Sequence, residues 1–115
     1  MVYFSFISYR VNTFPEDIIS VGMIMIDTET RKFKIQVSDL KMKWAKRMYP
    51  RKDVFKFFKK TVEAMLKAEW TLNQLDYSAR HQNGLLKISM PSKISCRLED
   101  FDHMFYKRLE ENFKI

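Results

Sequence analysis

The chain has 115 residues, of which 46% are hydrophobic, 15% aromatic and 30% charged, and its formal net charge is +7. This balance predicts one globular domain over residues 1–115, because the apolar area offsets the ordering cost of folding while the length leaves no room for two cores. With only two glycines and three prolines, a Gly-rich phosphate loop, a collagen-like repeat and a flexible linker are excluded.

Three strands are predicted in the first third of the chain. Residues 2–11 are rich in aromatic and β-branched side chains, and residues 18–27 are apolar on both faces. Gly22 within the second strand indicates a bulge or a close backbone approach. After a polar turn, apolar and polar residues alternate in residues 32–37, which completes a three-stranded antiparallel meander.

The period of the apolar residues becomes helical after Ser38, a candidate N-cap. A first helix is predicted from Asp39 to Pro50, a second after Asp53, which we expect to cap it, and a short third over residues 72–79. The side chains expected in the core of these helices are Trp44, Phe57, Phe58, Val62 and Met65, which leaves Tyr49 and Phe55 as the exposed aromatic residues.

Two short strands and a helix are predicted after the break at Asn83-Gly84, namely strands over residues 85–90 and 93–96 and a helix through residues 98–113. The whole pattern predicts a small α+β domain. Its antiparallel sheet is a three-stranded meander plus one or two later strands, and we expect the helices to cover one face of that sheet.

Metal ligands and catalytic groups are poorly represented. Cys96, His81 and His103 lack the spacing of a metal site, so no metal, cofactor or catalytic residue is predicted. The acids Glu99, Asp100 and Asp102 could hold Mg²⁺ in a nuclease, but carboxylates are also typical of the first turn of a helix.

The location expected is the cytoplasm. A single cysteine forms no internal disulfide, and the N-terminal residues lack the features of a secretory signal. The longest mostly apolar stretch, residues 18–26, is far shorter than the roughly 20 residues that cross a bilayer, so no membrane contact is expected.

The excess charge is confined to residues 41–60, where nine Lys or Arg residues accompany one acid, Asp53, for a net charge of +8. Such a cluster is either a solvated helix face or a surface for an anionic partner. The candidate binding residues are Lys43, Lys46, Arg47, Tyr49, Arg51, Lys52, Lys56, Lys59 and Lys60.

Residues 9–27 resemble the opening of the bacterial family called domain of unknown function 3037. In that family an aromatic-rich strand and a Pro-containing turn precede acidic-x-x-Asn-Val-Gly and an apolar strand. Here Asp17, Val21 and Gly22 match, whereas Ser20 replaces the usual Asn. The resemblance implies an accessory or antitoxin-like partner of a toxin-type kinase, with no assigned reaction.

Three functions follow in order of preference. The first is a non-catalytic intracellular interaction protein of a toxin, stress or phage-defence system, whose basic helices dock an acidic protein surface. The second is a nucleic-acid-binding module that uses the same cations on backbone phosphates. The third is a nuclease-type enzyme.

Overall fold

The structure is a computed structural model that describes residues 1–13, 16–48, 52–81, 85–95 and 97–113. Its elements follow one another in the predicted order, which confirms the α+β class. Within the described ranges they are β1 (Val2–Thr13), β2 (Glu16–Asp27), β3 (Phe33–Val37), α1 (Asp39–Met48), α2 (Lys52–Lys67), α3 (Leu72–Arg80), β4 (Leu86–Ile88), β5 (Ser92–Ile94), a 3-10 turn (Leu98–Asp100) and α4 (Phe101–Phe113).

The sheet is antiparallel and has the order β3-β2-β1-β4, with β5 also paired to β1. The long β1 pairs with β2 on one side. On its other side, β4 pairs opposite residues 7–9 and β5 opposite residues 2–4, so the two short strands follow one another along β1. The third strand, β3, therefore forms one edge of the described sheet.

Gly22 is both a bulge residue and a point of close approach. Ile7 pairs with Gly22 and Ser8 with Ser20, so Val21 is the extra residue of a bulge. A Cβ atom at Gly22 would lie 2.6 Å from the backbone oxygen of Gln36 on β3. The bulge also positions α1, because the Val21 carbonyl accepts a hydrogen bond from the Ser38 amide (2.7 Å) at the start of that helix.

The helices cover both faces of the sheet, so the expectation that they cover one face is wrong. Helices α1, α2 and α3 pack on the face that carries Ile7, Tyr9 and Ile24. Helix α4 packs on the opposite face through Phe101, Phe105 and Leu109, against Val2, Met23 and Met25. The physical reason lies in β1 and β2, whose apolar side chains alternate onto both faces and require a layer on each side.

Ser38 is confirmed as the N-cap of α1, because its hydroxyl accepts a hydrogen bond from the Lys41 amide (3.2 Å). Helix α2 begins at Lys52, so Asp53 lies within its first turn and is not the N-cap that we expected. Helix α3 begins with a capping box between Thr71 and Gln74. The Asn83-Gly84 break lies outside the described residues.

The expected core of α1 and α2 is partly confirmed and partly wrong. Phe58, Val62 and Met65 are buried, as predicted. Two aromatic residues expected inside are exposed, since Trp44 is 44% accessible and Phe57 is 66% accessible. Phe55, expected outside, is buried, because α2 packs with the stripe 55-58-62-65 inward and position 57 lies about 200° around the helix from position 55.

No helix in the described part of the chain is both long and apolar enough to cross a bilayer.

Candidate functional site

An open cleft of about 900 Å³ lies between α1, α2 and the edge strand β3. Its apolar residues come from three elements, and they are Ile35 and Val37 of β3, Met42 of α1, and Phe55, Val62 and Leu66 of α2. Ile35 and Val37 are only half-buried, although they pack against the main core. The cleft therefore continues the hydrophobic core outward to the molecular surface.

Four of the predicted cations line this cleft. Lys43 and Lys46 project from α1, and Lys56 and Lys59 project from α2. Each pair is spaced three residues apart, which places both members on one face of its helix. All four side chains are exposed. Two helices that are separate in the sequence thus bring their lysines to one place.

The charge of the cleft is only partly neutralised. Asp39 and Glu63 also line it. However, among the described side chains no carboxylate lies within ion-pair distance of the ammonium groups of the four lysines. Four cations beside apolar residues are chemically suited to a ligand that is itself apolar and anionic.

The remaining predicted cations have different positions. Arg47 is exposed and lines a second open depression of about 490 Å³ on the outer side of α1, which shares Lys43 and Lys46 with the cleft. Lys60 is exposed on α2 but does not line the cleft. Lys52 is the first residue of α2, and its side chain is not described, while Tyr49 and Arg51 lie outside the described residues.

Trp44 is a candidate binding residue that the sequence analysis assigned to the core. It lines the outer depression of α1 with Leu40 and Arg47. The Lys41 ammonium lies 4.7 Å from the centre of its ring, a cation–π contact. The signal in the sequence is the neighbouring Ala45, which lies about 100° from Trp44 on the helix, so only one of the two can point at the centre of the sheet. In the structure that residue is Ala45, which is fully buried.

Ile35 and Val37 are further candidates that the sequence analysis missed. The alternation of β3 indicates which of its side chains share a face, but it does not indicate that β3 lies at the edge of the sheet. The edge position follows only from the order of the strands.

The acids near the last helix have partners on the other face of the sheet. Asp102, in the first turn of α4, accepts from the Lys32 ammonium (2.9 Å) and lies 3.4 Å from that of Lys34. The hydrogen bond from Lys32 lowers the pKa of Asp102. The hydrogen bond from Lys34 to the Tyr106 hydroxyl (3.3 Å) raises the pKa of Lys34. These contacts join β3 to α4.

The other acids and the histidines are dispersed. Glu99 lies 3.7 Å from Arg97, and His81 stacks on Tyr77 with 4.2 Å between ring centres. In the described part of the chain, no three His, Cys, Asp or Glu side chains form a group that could hold a metal ion. Cys96 lies outside that part.

The structure is a small α+β domain with an apolar cleft lined by four lysines. No protein-family model, curated protein or solved structure matches the chain. The resemblance of residues 9–27 to the domain of unknown function 3037 therefore stays a prediction.

Proposed function

We propose that this protein is a non-catalytic interaction protein that binds an acidic segment of a partner protein in the cleft between α1 and α2. The observation that carries the proposal is the meeting of Lys43, Lys46, Lys56 and Lys59 around one apolar cleft. The partner is an acidic protein, and the resemblance to the domain of unknown function 3037 favours a kinase-like toxin as that partner, with both proteins in the cytoplasm.

The chemistry of the cleft favours a protein segment over a small anion. A phosphate or sulfate would contact the lysines and leave Ile35, Val37 and Leu66 exposed to water. A peptide with acidic and apolar side chains meets both requirements, because burial of apolar surface supplies affinity and the opposite charges steer association and select the partner.

Charge reversal on α2 tests the proposal with a matched control. The variant Lys56→Glu with Lys59→Glu reverses two lysines that line the cleft. The variant Lys60→Glu with Lys67→Glu makes the same change in net charge with two exposed lysines of the same helix that do not line it. Long-range steering is weakened equally in both, so a difference between them reports on the cleft.

The measurement is affinity capture from an extract of the native host, with and without nuclease treatment, followed by mass spectrometry and titration of the captured protein. We expect an acidic protein to bind the wild type and the control variant at least about tenfold more tightly than the cleft variant, a difference of about 1.4 kcal/mol. Equal binding by both variants, or loss of all binding after nuclease treatment, would contradict the proposal.

A second candidate function, nucleic-acid binding, gains support from Trp44. Its exposed ring lies beside Lys43 and Arg47 on the basic side of α1. Exposed aromatic rings among cations stack on the bases of single strands while the cations contact phosphates. This candidate would centre on Trp44 and extend over the lysines of the cleft, because Lys43 and Lys46 line both the depression and the cleft. Its dependence on salt separates it from the first candidate.

A further inference from the structure

The edge strand β3 has backbone groups that face away from the sheet. In antiparallel pairing, residues alternate between those that bond to the neighbouring strand and those that point away from it. The Asp27 amide donates to the Lys32 carbonyl (2.8 Å) and the Ser38 amide to the Val21 carbonyl (2.7 Å), just beyond the two ends of β3. These two bonds determine which residues of β3 bond to β2 and which point away from it.

The bonded partners of β2 are therefore Lys34 and Gln36, which pair with Met25 and Met23. The amide and carbonyl groups of Phe33, Ile35 and Val37 point off the edge of the sheet. In the described part of the chain no other strand pairs with this edge.

The same edge belongs to the cleft. Ile35 and Val37, whose backbone groups face outward, also line the cleft beside the lysines of α1 and α2. All five residues of β3 are half-buried, whereas residues 21–27 of β2 are buried. Among the residues that the structure describes, strand groups without a partner strand, partly exposed apolar side chains and cations without a close carboxylate thus occupy one continuous surface.

We propose that the ligand of the cleft is an extended acidic peptide that adds to β3 as a further strand of the sheet. This inference rests on the proposed function and specifies the conformation of the partner segment. Backbone hydrogen bonds to Ile35 and Val37 hold the peptide. Because strand side chains alternate, every second residue faces the cleft, where apolar residues cover Ile35 and Val37 and acidic residues contact the lysines.

The far face of the same edge is also basic. Lys32 and Lys34 lie there, both close to Asp102. An added strand would place its remaining side chains near these two lysines, so acidic residues are acceptable on both of its faces. A helix laid in the cleft would reach the lysines of α1 and α2 but would leave the outward groups of β3 without a protein partner.

The test begins with selection of peptides on the intact protein from a display library of random short sequences. The selected peptide is then synthesised with N-methyl groups at single positions, each of which removes one amide donor. For an added strand, binding falls at least about tenfold for N-methylation at alternate positions and stays within about threefold at the positions between them, the first change corresponding to about 1.4 kcal/mol.

Hydrogen exchange of the protein supplies a second measurement. The amides of Ile35 and Val37 should exchange at least about tenfold more slowly when the peptide binds, because they acquire hydrogen-bond partners. The amides of Lys34 and Gln36 should change much less, since they are already bonded to β2.

A pair of protein variants tests whether the backbone amide of Ile35 donates a hydrogen bond to the peptide. Ile35→Pro removes an outward amide and preserves the ladder to β2, which an edge strand tolerates, whereas Ile35→Ala shortens the side chain and keeps the amide. We expect Ile35→Pro to bind the peptide at least about tenfold more weakly than Ile35→Ala. If Ile35→Pro does not fold, as judged by circular dichroism, the N-methylated peptides still test whether the peptide binds as an added strand.

The outcomes distinguish this inference from the function on which it rests. Acidic peptides that require Lys56 and Lys59 but show no alternation on N-methylation would overturn strand addition and leave the acidic partner in place. Selected peptides that carry no acidic residues, or that bind the Lys56→Glu, Lys59→Glu variant equally well, would overturn both.

Discussion

Gly22 couples the sheet to the cleft, because it has no side chain where β2 and β3 approach closely. The added methyl group of Gly22→Ala would lie 2.6 Å from Gln36 O and 3.1 Å from the Cα of Val37, and both of these atoms are backbone. Strand β3 must therefore move away from β2. We expect a loss of about 1 to 3 kcal/mol in the free energy of unfolding, measured by chemical denaturation.

The same substitution has a functional consequence, because Gln36 and Val37 line the cleft. Peptide binding should weaken in the folded Gly22→Ala protein. A loss of stability under about 0.5 kcal/mol, typical of surface substitutions, would show that β3 adjusts freely.

Asp27 gives the stability of the domain a dependence on pH. Its nearly buried carboxylate accepts from the Thr30 hydroxyl (2.6 Å) and the Thr30 amide (3.1 Å), and these bonds lower its pKa below 3.8 in spite of burial. A lowered pKa in the folded state stabilises the protein above the unfolded value, and the contribution is lost as the pH falls through the folded value.

Asp27→Asn should therefore be less stable than the wild type at neutral pH, and the difference should shrink below pH 3.8. Thermal unfolding over a pH series measures it. Asp102→Asn is the comparison, because Asp102 is exposed and the effect of its ion pairs with Lys32 and Lys34 should fade in high salt. A constant difference between Asp27→Asn and the wild type at every pH would contradict this account.

In helix α2 the aromatic residue Phe58 packs on the sheet, whereas its neighbour Phe57 does not. Phe58 is fully buried, with its ring edge-on to that of Tyr9 at 4.5 Å between centres, while Phe57 is mostly exposed. Phe58→Ala should lower the free energy of unfolding by about 3 to 5 kcal/mol, whereas Phe57→Ala should change it by less than about 0.5 kcal/mol. Similar losses in chemical denaturation would mean that α2 is rotated.

The order of the elements could be predicted from the sequence because each depends on local signals. Alternation in β3, the change of period after Ser38 and the polar turns are properties of short windows. The rotation of each helix is not local. Adjacent residues of a helix point in directions about 100° apart. Which of Phe55, Phe57 and Phe58 is buried therefore depends on how α2 packs against the sheet.

The candidate site could also be predicted only as far as local signals in the sequence allow. The cations of residues 41–60 were predicted from their density, which is visible in one dimension. Whether these cations lie around one apolar cleft depends on the angle between α1 and α2 and on the edge position of β3, which are tertiary properties. The second helical layer was missed for the same reason, since the side chains of β1 and β2 suit both faces but do not specify what covers them.

On the scale of the whole molecule, the two faces of the sheet differ in how their charge is balanced. On the α4 face, Lys32 and Lys34 lie close to Asp102. On the opposite face, the four lysines of the cleft have no carboxylate within ion-pair distance among the described side chains. The positive field is therefore directed outward from α1 and α2, and it should attract any anionic macromolecule at low salt.

The dependence of binding on salt separates the two kinds of partner. If about five of the nine cations of residues 41–60 contact duplex phosphates, the logarithm of the affinity falls with a slope of about −0.9 per contact, so affinity drops some hundreds-fold between roughly 50 and 200 mM salt. An acidic protein held by apolar contacts and strand hydrogen bonds should lose far less, mainly through slower association.

We therefore expect generic DNA or RNA to bind only weakly near 150 mM salt, a condition at which a protein partner remains bound. Fluorescence anisotropy with labelled duplex and single-stranded oligonucleotides measures nucleic-acid binding. The Lys56→Glu, Lys59→Glu variant is the control for the contribution of the cleft lysines. Trp44→Ala distinguishes stacking, because it should weaken binding of single strands and leave the cleft intact. Sub-micromolar binding of an oligonucleotide at that salt, lost in both variants, would make nucleic acid the physiological ligand and reduce the cleft to one part of a phosphate-binding surface.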